Sequence, residues 1–335
     1  MVLSISEISS RFESSASNKE CVGHKKKVHA LAWNKNGTIL ASGSVDTTAR
    51  LWELDSQGKG VLLHELKGHS DSIDQLCWNP RNAEQLATTS SDKTVRIWNA
   101  KTGTQTHLIN TVGENINIAW SPDGTSICVG NKEDMLTFIE TKRFRISSEI
   151  KFGYEANEFR WSPNSEYFFI TSGQSNGMGT IEVMRFSKGK LFANDAITLY
   201  GHSANCYSLD FDPTGRYFAV GAADSLVSIW SLEDLVCVRT TPRLEWPVRT
   251  VSFSYDGRLL AAAAEDHFID ISDVETGEVV YQVNCRCAMN SVAWHPSKMI
   301  LAYAGDFNDK SSSSSSRDRD RQTAFIRMIS ISEKK

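Results

Sequence analysis

Seven copies of one pattern constrain this chain more than any other feature it has. An alternating apolar run ends in an aromatic at Trp33, Trp78, Trp120, Trp161, Phe211, Phe253 and Trp294, at intervals of 45, 42, 41, 50, 42 and 41 residues. A unit repeated at this spacing cannot bury its apolar face alone, so it must stack on its neighbours. Each copy keeps the same order of parts. A run such as VHALAW leads into a turn, as in NKNG (34–37) or SPDG (121–124), and then into a strand of small and apolar residues such as ILASGS or QLATTS. Period-two alternation over short runs bounded by turn residues is a strand pattern. Four short strands in roughly 40–45 residues make one blade of a radial sheet array. The chain reads as all-β: a seven-bladed β-propeller filling residues from about 24 onward.

The third part of six copies is a turn built on an aspartate: Asp46, Asp92, Asp134, Asp224 and Asp266, with Asp306 in the seventh copy. A third strand follows, ending in Trp52, Trp98 or Trp230, with Glu140, Phe186 and Ser272 at the equivalent places. Gly-His pairs stand at Gly23-His24, Gly68-His69 and Gly201-His202, each at matching distance from its aspartate and tryptophan. At this point the copies resemble WD repeats, although Glu53, Asn99 and Ser231 follow the tryptophans and no Trp-Asp pair occurs. The resemblance implies a buried hydrogen-bonded set in three blades. It would use His24, Asp46, Trp52 and either Ser42 or Ser44 in blade one, and His69, Asp92, Trp98 and Ser90 in blade two. In blade five it would use His202, Asp224 and Trp230, with Gly221 and Ala222 standing where a serine is expected. Such a set holds only when every member is satisfied.

The last repeat stops after its third strand, AFIRMIS (324–330), and lacks a fourth. The spare segment is at the other end. Residues 1–22 are therefore expected to supply, within about 11–22, the strand that completes the last blade and removes its exposed edge. The propeller proper then runs from 23 to 335. Within it, FNDKSSSSSSRDRDRQ (307–322) has no apolar residue after Phe307, so it is expected to be a disordered loop. The N-terminus has no apolar core of a secretory signal, and no apolar run reaches the roughly 18 residues of a membrane helix. The net charge of −4 advertises no polyanion. Seven scattered cysteines suit reduced thiols, and the lone pair Cys285 and Cys287 has no companion at metal-ligand spacing. No metal or cofactor is expected.

Catalytic motifs are missing as well. No phosphate-binding G-x-x-x-x-G-K-[ST] and no H-E-x-x-H occurs, and the glycines of GQSNGMG (173–179) join strands rather than opening a helix. His267, beside Glu265 and Asp266, is the best remaining acid–base candidate. Its place at a turn fits surface recognition better, so no catalytic residue is assigned. Binding is the better reading. The residues flanking the start of each first strand share one face with the aspartate turns. They are Lys27, His29, Asp74, Glu114, Glu133, Glu155, Asn157, Asn205, Tyr207, Trp246, Arg249, Glu265 and His267. The set leans acidic, which suits a basic or polar protein segment better than a phosphate backbone. Trp246 precedes Pro247 in a connection where the repeat requires no aromatic, and Trp and Arg are common interface anchors.

Three stretches carry a closer likeness. They are DSIDQLCWNP (71–80), GENINIAWSPDGTSICVGNKED (113–134) and RLEWPVRTVSFSYDGRLLAAAAEDHFIDISDVETGE (243–278), with WPVRT and EDHFIDI the most distinctive runs. They resemble the WD-repeat (third) subunits of THO complexes. The resemblance implies a non-catalytic scaffold or adaptor of the nucleus, acting in messenger RNA packaging and export. It implies partners among the large helical THO subunits, with a DEAD-box RNA helicase, an RNA-binding export adaptor and mRNA reached indirectly, and no membrane. Two other readings stand beside it: direct RNA binding by the propeller, or reading of a peptide or histone tail as a substrate receptor.

Overall fold

Each repeat folds into one four-stranded antiparallel sheet, and seven such sheets close a ring. The computed structural model describes residues 3–173, 177–285, 287–305 and 324–331. In blade one the strands run from the axis outward as Val28–Trp33, Ile39–Ser44, Ala49–Leu54 and Gly60–Leu66. The second and third strands are almost wholly buried because each sheet is covered on both faces by its neighbours. The apolar core therefore lies between blades, in seven clusters, one per interface. Leu51 and Ala41 meet Trp78 and Leu86 between blades one and two, and Phe138 meets Phe159 and Phe168 between three and four. The 50-residue interval between Trp161 and Phe211 has its cause in blade four, whose outer hairpin is long: Gly179–Ser187 paired with Lys190–His202.

The N-terminal strand Ser17–Cys21 pairs antiparallel with Phe325–Ser330 and completes the seventh sheet. Cys21 is buried with Ile326 and Met328 in the cluster that joins blade seven to blade one. A helix that the sequence reading did not foresee precedes this strand, Ile5–Ser15. Ser4 caps it: its Oγ accepts from the Glu7 amide at 3.2 Å while Glu7 Oε2 accepts from the Ser4 amide at 2.7 Å. This is a reciprocal capping box. Ile8 and Phe12, four residues apart, present one face to the groove between blades six and seven, and Phe12 stacks on Tyr281 with ring centroids 5.0 Å apart.

Strand register corrects three alignments. Trp52 lies opposite Leu40, and the residues in that place in blades three and four are Ile139 and Met184, not Glu140 and Phe186. The left-handed residue of the aspartate turn is Thr47 in blade one and Lys93 in blade two, one position after the aspartate. In blade three it is Asp134 itself, with φ 59°. The place of Asp46 there belongs to Glu133. Asp306 and the 307–322 segment lie outside the described residues.

Candidate functional site

The three blades with a Gly-His pair each hold a closed polar set. In blade one His24 Nδ1 is 2.9 Å from Asp46 Oδ2, and His24 Nε2 is 2.8 Å from Ser42 Oγ. Trp52 Nε1 donates to the same hydroxyl at 2.9 Å. A carboxylate only accepts, so Nδ1 carries a proton. Ser44 is separate: it donates to Lys26 O and accepts from the Asp46 amide. Blade two requires a correction. The hydroxyl between His69 Nε2 (2.8 Å) and Trp98 Nε1 (2.9 Å) belongs to Thr88, not Ser90. Ser90 holds the turn, accepting from the Asp92 amide and donating to Asp71 O. The reason is strand alternation. Thr88 and Ser42 pair with Arg96 and Arg50 in the same register, and a two-residue shift moves a side chain along the same face.

Blade five solves its missing serine across the sheet. Val220 stands where Ser42 does, and its partner on the third strand is Ser228. Ser228 Oγ meets both His202 Nε2 and Trp230 Nε1 at 2.7 Å, while His202 Nδ1 reaches Asp224 at 3.1 Å. Blade six replaces the set with an ion pair. Arg243 donates to both oxygens of buried Asp270 at 2.7–2.9 Å and to Gly277 O at 2.8 Å. Asp266 accepts there from the Glu245 and Trp246 amides.

Ser42, His24 and Asp46 have the connectivity of an acyl-transfer triad. Two observations oppose that use. Ser42 is 0% exposed, and its oxygen already accepts the indole N–H. Burial opposes ionisation of Asp46. The hydrogen bond and charge of His24, with Thr48 and the Lys25 amide, outweigh it and hold the carboxyl well below the usual carboxylate range. Asp92 is depressed in the same way by His69, Thr94 and the Ser70 amide. Burial pushes His69 itself down, against the pull of Asp92, which keeps the imidazole neutral. No disulfide joins the seven cysteines, and burial pushes the thiols of Cys21, Cys77, Cys206 and Cys285 up to about 12, leaving them poor nucleophiles. Among the described residues no group of three or more His, Cys, Asp or Glu could hold a metal.

The thirteen residues of the recognition face divide into an inner ring and an outer rim. A bulge interrupts the first strand in six blades, and the residue it displaces is His29, Asp74, Ile116, Asn157, Tyr207 or Asn290. A bulge re-aims a side chain. Here His29, Asp74, Asn157, Tyr207 and Asn290 line the central channel, where Arg249 takes the same place in blade six; Ile116 does not line it. Asn290 belongs to this ring and was missed; its position one residue before Ser291 in MNSVAW was the available signal. Neighbours pair around the ring: His29 Nδ1 with Asp74 at 3.4 Å, and Asn117 Nδ2 with Asn157 O. Further out, Asn205 donates to Glu155, Lys132 to Glu114 at 2.6 Å, and Arg249 to Glu265. Lys27 and Glu133 also lie outside the channel lining. Trp246 is 53% exposed, and His267 is exposed as well. The Trp246 loop is pinned through its backbone at Asp266, so the indole is presented on a fixed support.

Sequence reasoning also missed the charges one level deeper. Glu158 and Arg160 from blade four and Asp210 from blade five line the channel wall. Arg160 Nε donates to Leu209 O at 3.2 Å, and Asp210 accepts from the Phe253 amide at 2.9 Å. The signal was present in EANEFRW and CYSLDF, where charged residues take the polar places of an innermost strand.

Comparison with known proteins agrees with this architecture. Residues 24–304 match the THOC3 beta-propeller domain family. The chain is 51% identical to THO complex subunit 3 of Arabidopsis thaliana, over 86% of this chain and 90% of that protein. It is 36% identical to WD repeat-containing protein AAC3 of Dictyostelium discoideum, over 93% of this chain and 68% of that protein. A more distant likeness, 24% identity, joins it to a WD repeat-containing protein 26 homolog of Arabidopsis thaliana, over 84% of this chain and 48% of that protein. The ring of seven sheets, the three His–Asp sets and these matches together place the chain in the THOC3 beta-propeller family of WD-repeat proteins.

Proposed function

We propose that this protein is a non-catalytic docking subunit of a THO complex, acting in the nucleus in the packaging and export of messenger RNA. It would seat on the large helical subunits of that complex and reach a DEAD-box RNA helicase and an RNA-binding export adaptor through them. The extent of the similarity to a protein named as THO complex subunit 3 carries the complex assignment. The exposed Trp246 carries the location of the contact. An indole half open to solvent on a pinned loop, beside Arg249 and His267, is the surface on this face best suited to anchor a partner. The acidic outer residues Glu114, Glu133, Glu155 and Glu265 suit a polar or basic protein segment.

Affinity purification of the tagged protein followed by mass spectrometry tests the reading: THO subunits are expected to copurify. Trp246→Ala should lower their recovery tenfold or more, about 1.4 kcal/mol or beyond, while the melting temperature stays within about 2 °C because the ring is solvent-facing. Recovery of a different complex, with no THO subunit in it, would overturn the assignment. Unchanged recovery with the variant would move the contact off blade six.

A further inference from the structure

The seven innermost strands enclose a central channel of about 670 Å³. Its wall is unevenly charged. Just below the mouth stand Gln75, Asn117 and Glu158 of blades two, three and four, and below them Arg160 and Asp210. Glu158 is only 8% exposed. Its Oε2 accepts from Gln75 Nε2 at 2.9 Å, a bond that passes from blade two to blade four across the inside of blade three. The Gln75 side-chain oxygen in turn accepts from the Ile118 amide. No donor among the described residues reaches Glu158 Oε1. A buried carboxylate oxygen without a donor is rare, because burial without a compensating hydrogen bond is so unfavourable.

The nearby cations do not supply that donor. Arg160 interacts with two buried carboxyls, Glu158 and Asp210, both of which burial pushes up against its pull, and its Nε is committed to Leu209 O. At the mouth, His29 is turned to Asp74 and Arg249 to Glu265. One acceptor, Glu158 Oε1, is therefore left over. Next to Glu158, at the mouth, the Asn157 Nδ2 group is also buried without an acceptor among the described residues. A free ion would answer only the carboxylate. A peptide answers both groups, since it brings a cationic side chain and a backbone carbonyl together. Arg160 sets the depth, because its charge repels a cation that moves further in.

We propose that the mouth of this channel takes the lysine or arginine side chain of a partner peptide. Glu158 Oε1 accepts from the ammonium or guanidinium group, and Asn157 Nδ2 donates to the peptide carbonyl. The inference needs no particular complex, so it stands or falls separately from the THO assignment.

The test uses the full chain and three blocked tetrapeptides, acetyl-Gly-X-Gly-Gly-amide, with X lysine, arginine or uncharged norleucine, followed by titration calorimetry. At least one cationic peptide should bind saturably, tenfold or more tighter than the norleucine peptide. Glu158→Gln should weaken that binding at least tenfold. Gln75→Ala should tighten it, because the carboxylate then has both oxygens for the ligand; general damage to the fold would not tighten anything. Melting temperatures identify any variant that fails to fold. Three results would each overturn the proposal: no saturable binding of either cationic peptide, equal binding of the norleucine peptide, or a folded Glu158→Gln variant that binds as the unsubstituted protein does.

Discussion

At the scale of single residues, two hydroxyls two positions apart on one strand do different work. Thr88 sits between a histidine and a tryptophan that are both buried, so its loss leaves two polar atoms without partners. Thr88→Val keeps the shape and removes the hydroxyl, and is expected to destabilise the fold by roughly 2–3 kcal/mol. Ser90 secures only turn amide and carbonyl groups at the blade edge, and Ser90→Ala is expected to cost roughly 1 kcal/mol. Denaturant unfolding of the two variants measures the difference, and equal losses would put Ser90 back in the set. The residue types of these sets were legible in the sequence, since His24, His69 and His202 announced themselves by spacing. Which hydroxyl closes each set was not. In blade five the answer, Ser228, is on a different strand from the one where it was sought, and only strand pairing brings the two places together.

At the scale of elements, the N-terminal segment contributes two separable pieces. The strand Ser17–Cys21 pairs with Phe325–Ser330, and the helix Ile5–Ser15 buries Ile8 and Phe12. Phe12→Ala empties a buried aromatic site and should cost about 3 kcal/mol or more. Deleting residues 1–15 removes the helix alone. Deleting residues 1–22 also leaves the last blade's third strand as an unpaired edge. The second deletion is therefore expected to lower the melting temperature well beyond the first, as calorimetry of both truncations would show; equal melting temperatures would mean the closing strand contributes little. The strand was legible because the count of strands came out one short. The helix was harder to see, since two apolar residues at i and i+4 make a narrow stripe. The capping signal Ser4-x-x-Glu7 was nonetheless present in the sequence.

At the scale of the whole molecule, the His–Asp sets among the described residues occupy blades one, two and five, and this uneven distribution governs the response to acid. In the unfolded chain a carboxyl titrates near pH 4, whereas Asp46 and Asp92 are held well below that in the fold. Their contribution to stability is therefore complete above about pH 4 and is lost as pH falls through their depressed values. His69, also depressed, adds a loss in the same direction that begins below its unfolded value of about 6.5. The melting temperature should fall progressively on acidification, and the Asp46→Asn, Asp92→Asn double variant should show a shallower fall from a lower starting point. Parallel profiles of the two proteins between pH 3 and 7 would refute this. Blade six has no such His–Asp set; the buried pair of Arg243 and Asp270 stands in its place. Breaking one partner of a buried pair typically costs about 3–5 kcal/mol.

The sequence alone determined the number of blades, the order of strands and the closure of the ring. All three follow from a period and an alternation, which are local properties of the chain. It also determined which residue types repeat, and through them the likeness to one family. The tertiary structure decided facing and company. Bulges in the first strands turn His29, Asp74, Asn157 and Tyr207 into one ring at the channel mouth. Glu158 meets Gln75 although 83 positions separate them in the chain. No periodicity records such meetings, because they depend on seven blades being closed around one axis.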